Sequence, residues 1–228
     1  MLEPASTPLR AFAVCLFLLG AGAPAAALAA TSKTVEAVEP PQTVTYMAGW
    51  VVRSGDNEDL PFVIVDKAAA MVFVYDAHGE MLGATPALVG TTPGDDAVPG
   101  IGDRELSDIP VEDRTTPAGR FLGGYGPAVG GREVLWVDFA TAISLHPVVT
   151  SHPEEKRVER LKSPEVDDNR ITYGCINVSR KFYNKVVRPT LKDTKGVFYV
   201  LPDSKDLADV FPNFWRSEFA FRGGRNAG

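Results

Sequence analysis

Cys175 stands in the segment Ile171-Thr172-Tyr173-Gly174-Cys175-Ile176-Asn177, directly after a glycine and ahead of an apolar/polar alternation. The chain has two cysteines, and the other, Cys15, lies in an N-terminal stretch expected to be removed on export. One remaining thiol cannot form a disulfide within the chain. It is a reactive nucleophile, an intermolecular partner or an inert buried group. Nucleophilic cysteine chemistry needs a thiolate, a base that generates it, and donors for the oxyanion formed on attack. At an ordinary pKa near 8.5 only about 3% of a thiol is ionised at pH 7, so a neighbouring imidazole matters.

The chain has three histidines. His78 sits in a turn signal beside Gly79 and is expected to face solvent. His146 ends the apolar strand Ile143-Ser144-Leu145, and His152 follows in a proline-flanked, charged loop. A strand end holds a side chain more rigidly than a loop, which favours His146 as the base and leaves His152 as second choice. Read alone, a histidine at a strand end is also a structural group satisfied by backbone. No metal site is expected: the histidines and the cysteine lack a ligand spacing, and Asp95, Asp96 and Asp103 show no EF-hand pattern.

The elements that must hold these residues read as strands. Phe62 to Asp66, Met71 to Tyr75 and Met81 to Val89 are β-branched and aromatic runs separated by turn signals, which predicts an antiparallel meander. Pro86 within the third run demands an edge position or a break. Residues 90–119 are loop-like. Strands follow at 120–123, 133–139, 142–146 and 196–201. The charged stretch 154–162 predicts a helical insertion, and Ser179 can cap a helix whose Phe182 and Val186, and Tyr183 and Val187, recur at i, i+4. Residues 207–211 predict a short helix or turn, and the Gly/Arg-rich end a loose tail.

With these pieces in order, the chain resembles the L,D-transpeptidase (YkuD-type) catalytic domain. The resemblance is carried by Thr116-Pro117-Ala118-Gly119-Arg120-Phe121, by Leu145-His146, and above all by Thr172-Tyr173-Gly174-Cys175-Ile176-Asn177. It implies a mostly β fold, a β-sandwich with a few short helices, over residues 60–202. The implied activity is acyl transfer on peptidoglycan stem peptides through a thioester, with no cofactor. Cys175 would be the nucleophile and His146 its base, oriented by a backbone carbonyl. The backbone at Tyr173, Gly174 and Cys175 would receive the oxyanion, and Thr172 and Asn177 match further motif positions expected to meet substrate. Tyr173 stands where the family most often has His, and Pro147 where Gly is common. The gap from His146 to Cys175 is 29 positions, longer than usual, with the excess in 151–168. That stretch is read as a lid or substrate loop, and Arg160 and Arg170 as candidates for binding a stem-peptide carboxylate. Water as acceptor would make the protein an L,D-carboxypeptidase, and an amine on a second stem or an envelope protein a transpeptidase. A degenerate domain that only binds peptidoglycan is the non-enzymatic reading.

Residues 1–29 have the parts of a secretory signal: Arg10, an apolar run from Ala11 to Gly20, and Ala27-Leu28-Ala29. An exported protein of the periplasm or cell envelope is expected, with an uncleaved anchor as the alternative. Residues 30–59, polar and interrupted by Pro40-Pro41, read as a linker leading to a domain edge, and 203–228 as a C-terminal tail. The formal charge of −6 leaves no basic footprint for nucleic acid. Nothing in the sequence sets the oligomeric state.

Overall fold

Strand β1 (Phe62–Asp66) is buried along its whole length because both of its faces are covered. Val63 and Val65 point into one hydrophobic core, while Phe62 and Ile64 point into a second on the opposite side. The same division runs through β2 (Met71–Tyr75) and β9 (Gly196–Val200), whose Val72, Val74, Phe198 and Val200 join the first core. Phe73, Tyr75, Val197 and Tyr199 join the second. A period of two residues therefore sorts one continuous apolar run into two cores.

The computed structural model describes residues 39–216. Its sheet has nine strands in the order β2-β1-β9-β4-β5-β6-β8-β3-β7, and a further β2–β3 pairing curls it towards a barrel-like sandwich. The remaining strands are β3 (Met81–Gly90), β4 (Gly119–Pro127), β5 (Glu133–Asp138), β6 (Ile143–Pro147), β7 (Arg170–Thr172) and β8 (Ile176–Val178). The fold is mostly β with a few short helices, as expected. The meander β1–β2–β3 is antiparallel. Pro86 is the last β3 residue paired with β2, and Ala87 and Leu88 pair with β8 instead. The residue that cannot donate a ladder hydrogen bond thus marks the break.

Two expected boundaries are corrected. Part of the supposed linker 30–59 is helix α1 (Gln42–Ser54), which buries Val44, Met47, Ala48, Trp50 and Val51 in the second core. The prolines that suggested a linker precede the helix: Pro41 is its N-cap, and Gly55, in the left-handed region at φ 68°, ends it. The described part of the supposed tail, 203–216, also belongs to the fold. It includes α5 (Leu207–Val210), and Phe211 and Phe214 are buried with α1, Phe214 lying edge-on to Trp50 at 5.6 Å. The expected signal segment 1–29 and the end beyond Phe221 lie outside the described residues. No helix among the described residues is long and apolar enough to cross a membrane.

The predicted insertion contains α2 (Arg157–Arg160), preceded by a short 3-10 turn. After β8, Ser179 caps α3 (Arg180–Phe182) by accepting the Phe182 N–H, as predicted. A π-helical segment (Tyr183–Val187) and α4 (Arg188–Leu191) continue it, and Tyr183, Val187 and Leu191 close the first core.

Candidate active site

The site is built on one parallel strand pair. In β6 and β8, Leu145 lies opposite Ile176 and His146 opposite Asn177. Ile143, Leu145, Ile176 and Val178 point into the first core. Alternation then puts Ser144 and His146 of β6, with Cys175 and Asn177 at β8, on the other face. This is why the 29 positions between His146 and Cys175 do not separate them in space.

The sulfur is not walled in by hydrocarbon. Cys175 is half-buried; its Sγ lies 3.4 Å from the Ser144 hydroxyl and 3.7 Å from the Ala142 carbonyl, and it interacts with His146. Burial alone would raise its pKa, but the imidazole and the hydroxyl and N–H of Ser144 outweigh it and hold the thiol below its ordinary range. For His146, burial alone would lower the pKa; Cys175 and the Pro147 carbonyl outweigh it, and the net shift is upward. Both shifts favour a thiolate–imidazolium pair.

Hydrogen bonding sets the state of the imidazole. His146 Nδ1 is 2.9 Å from the Pro147 carbonyl oxygen, which only accepts, so Nδ1 carries a proton. Nε2 is 3.1 Å from Asn177 Nδ2. Asn177 cannot be turned round, because its Oδ1 accepts from Arg157 Nη1 at 3.0 Å and a guanidinium only donates. In the neutral ring, the lone pair therefore lies on Nε2.

The turn that carries Cys175 is held by two threonines. Thr116 Oγ1 donates to the Gly174 carbonyl at 2.7 Å and accepts the Gly90 N–H. Thr172 Oγ1 accepts the Gly174 N–H at 3.1 Å and donates to the Cys175 carbonyl at 2.7 Å. Gly174 has φ +122°, and a Cβ there would lie 2.7 Å from the Thr115 carbonyl oxygen, so only glycine fits. These bonds correct two expectations. The Gly174 N–H is already engaged and is no oxyanion donor, and the Thr172 hydroxyl is spent on the turn rather than turned to substrate. Among the described residues, the N–H groups of Tyr173 and Cys175 have no acceptor.

A narrow cleft of about 50 Å³ opens at the sulfur, lined in part by Thr115, Pro117, Ala142, Ile143 and Tyr173. Space of this order holds a few waters or one peptide group. The Tyr173 ring, where an imidazole was the expected residue type, packs under the Arg114 guanidinium at 4.0 Å. Larger hollows lie beside the insertion and below Trp136, and neither includes Cys175.

The other expected residues fall elsewhere. His152 is exposed beside Glu154, at 3.2 Å, and is not at the sulfur, so the second-choice base is set aside. Arg170 is not a free carboxylate receptor: it forms a buried two-pronged pair with Asp203 at 2.7 and 3.3 Å. Arg160 is likewise spent, donating to the carbonyls of Glu155 and Asp168 within the insertion. Sequence reasoning missed Ser144 and Arg157. Ser144 was legible, since it stands two residues before His146 and so shares its face; Arg157 carried no signal among many surface charges. Among the described residues, no group of three or more His, Cys, Asp or Glu is placed to hold a metal ion.

No protein-family model matches the sequence, and no curated protein matches it. Among solved structures, the chain is similar to the helical cell shape determining protein Pgp2 from Campylobacter jejuni, at 15% identity and a TM-score of 0.41. That match covers 64% of this chain and 49% of Pgp2, so the chain spans about half of that protein's length. An L,D-transpeptidase from Mycobacterium smegmatis is similar at 16% identity over 61% of this chain and 58% of that one, with a TM-score of 0.36. The catalytic domain of the E. faecium L,D-transpeptidase is similar at 16% identity over 62% of this chain and 97% of that one, with a TM-score of 0.34.

Proposed function

We propose that this protein is an exported cysteine acyltransferase of the L,D-transpeptidase kind, acting on peptidoglycan stem peptides in the cell envelope. The observation that carries the reading is the shared face of β6 and β8, on which His146 depresses the pKa of the half-buried Cys175 thiol. The Thr-Tyr-Gly-Cys-Ile-Asn motif supplies the substrate class.

In the proposed cycle, His146 Nε2 takes the Cys175 proton. The thiolate attacks the carbonyl carbon of the third stem residue, and the oxyanion is received by the N–H groups of Cys175 and Tyr173. Collapse breaks the L,D-peptide bond, and the departing D-amino acid nitrogen takes the proton from His146. An amine from a second stem or an envelope protein then attacks the thioester, returning a proton through His146 and restoring the thiol. Water in place of the amine gives carboxypeptidase chemistry on the same acyl-enzyme. No step calls for a cofactor.

Incubation with purified tetrapeptide stem fragments tests the reading. We expect a mass increase on Cys175 equal to the tripeptide acyl group, then cross-linked dimers. Shortened monomers without dimers would assign hydrolysis instead. No adduct with fragments or with a carbapenem, and sacculus binding unaffected by Cys175→Ala, would replace the enzyme with a binding module.

A further inference from the structure

Arg157 comes from the charged insertion, outside every motif of the site, yet its guanidinium ends on a site residue. Its side chain is only 12% exposed; Nε donates to Glu155 Oε2 at 2.5 Å, and Nη1 donates to Asn177 Oδ1 at 3.0 Å. Asn177 is fully buried, so its amide has no water to turn towards. The orientation of that amide is set by Arg157 on one side and is read by His146 on the other.

We propose that Arg157 is a positioning residue of the reaction, which acts through Asn177 to keep an N–H donor against Nε2 of His146, where the neutral ring carries its lone pair. The proposal rests on the acyl-transfer reading for its purpose, though not for its geometry. A protonated Nε2 would face the Asn177 N–H, donor against donor, and Arg157 stops Asn177 from rotating to relieve the conflict. The arginine charge acts in the same direction, opposing a second positive charge nearby. Cys175 pulls the other way, and the groups that face His146 are Cys175 from the turn before β8 and Arg157, itself paired with Glu155, from the insertion. The insertion is thereby part of the proton-transfer apparatus.

The test is ¹⁵N NMR of the imidazole nitrogens in Cys175→Ala protein, with the His146 signals assigned by their loss in His146→Gln. We expect the neutral ring to be protonated at Nδ1. Arg157→Met, which keeps the aliphatic stem and its packing, should leave Nδ1 protonated, since the Pro147 carbonyl still accepts from it, and raise the His146 midpoint by about half a pH unit or more. Arg157→Lys should restore part of the parent midpoint. Asn177→Asp, which places an anion against the ring, should raise the midpoint further. An unchanged midpoint in folded Arg157→Met and Asn177→Asp would overturn the proposal. These readouts need no substrate. A moved midpoint without a thioester on stem peptides would sink the acyl-transfer reading alone, and a thioester with an unmoved midpoint would sink this inference alone.

Discussion

The Thr116 hydroxyl donates to the carbonyl of Gly174 across 58 residues of sequence, at 2.7 Å, and so fixes the peptide plane immediately before the nucleophile. The same oxygen accepts the Gly90 N–H, which ties β3 to the turn. Thr116 is only 1% exposed, so neither partner has water to replace it. Thr116→Val keeps the shape and removes the hydroxyl, leaving two buried backbone groups unpaired. We expect a loss of about 1–3 kcal/mol in urea unfolding. We also expect a carbapenem acylation rate at Cys175 at least tenfold lower, with Thr116→Ser close to the parent on both measures. Acylation at the parent rate in Thr116→Val would show that the bond serves stability alone.

The thiol and the imidazole shift in opposite directions, Cys175 down and His146 up, and this has a readable pH signature. Iodoacetamide reacts with the thiolate, so the alkylation rate rises with pH as Cys175 loses its proton. Because the folded thiol sits below its ordinary range, half-maximal rate should fall at a lower pH than the 8.5 or so of a free thiol. His146→Gln removes the stabilising imidazole and should move that midpoint upward. Ser144→Ala should move it upward by less, since the hydroxyl and N–H of Ser144 both face the sulfur and only the hydroxyl is lost. A midpoint at or above that of a free thiol in the parent would contradict the pairing.

The fold was legible wherever a strand was long enough to carry a pattern. Phe62-Val63-Ile64-Val65 and Met71 to Tyr75 declared themselves by β-branched content, and Pro86 by the hydrogen bond it cannot donate. Ile176-Asn177-Val178 was not recognised as a strand, because three residues show too little alternation to separate from a loop. Helix α1 was overlooked although Val44, Met47, Ala48 and Val51 recur at helical spacing, since the preceding prolines were read as a linker rather than a helix start. In the site, Cys175 is legible as the lone remaining thiol, His146 as the imidazole at a strand end, and Ser144 through the period-two spacing that puts it on the face of His146. Arg157 and Thr116 reach the site by side-chain hydrogen bonds across long separations, which no local pattern encodes.

Helix α1 supplies a prediction of its own. Trp50 is 6% exposed and meets Tyr199 and Phe214 edge-on, at 6.4 and 5.6 Å between ring centres. Replacing it with alanine removes a large buried side chain from the second core and should cost about 3–5 kcal/mol in chemical denaturation. The two cores share β1, β2 and β9, so the loss should appear as one cooperative transition at lower denaturant. Two separate transitions would show that α1 and its core melt independently of the site.

The most buried charges lie behind the site. Lys67 is fully buried and donates to Asp95 at 2.9 Å, to the Gly94 carbonyl, and to the Thr116 carbonyl at 2.8 Å, with Asp203 at 3.4 Å. Burial alone would raise the Asp95 pKa. The Lys67 ammonium and the N–H groups of Asp203, Lys205 and Ser204 outweigh that and hold the carboxyl well below its usual range. A depressed folded pKa has a definite sign: the carboxylate's contribution to stability is fully present above its unfolded value of about 4 and is lost as pH falls through the folded value. Lys67→Met keeps much of the volume but leaves a buried carboxylate without its cation, a change that costs about 3–5 kcal/mol. The variant should therefore unfold at lower urea at pH 7, and its acid transition by circular dichroism should begin at higher pH than in the parent. Because Lys67 also donates to the backbone of Thr116, the acylation rate at Cys175 should fall in the folded variant as well. Parent-like acid unfolding in Lys67→Met would mean that the surrounding N–H groups hold the Asp95 charge without the lysine.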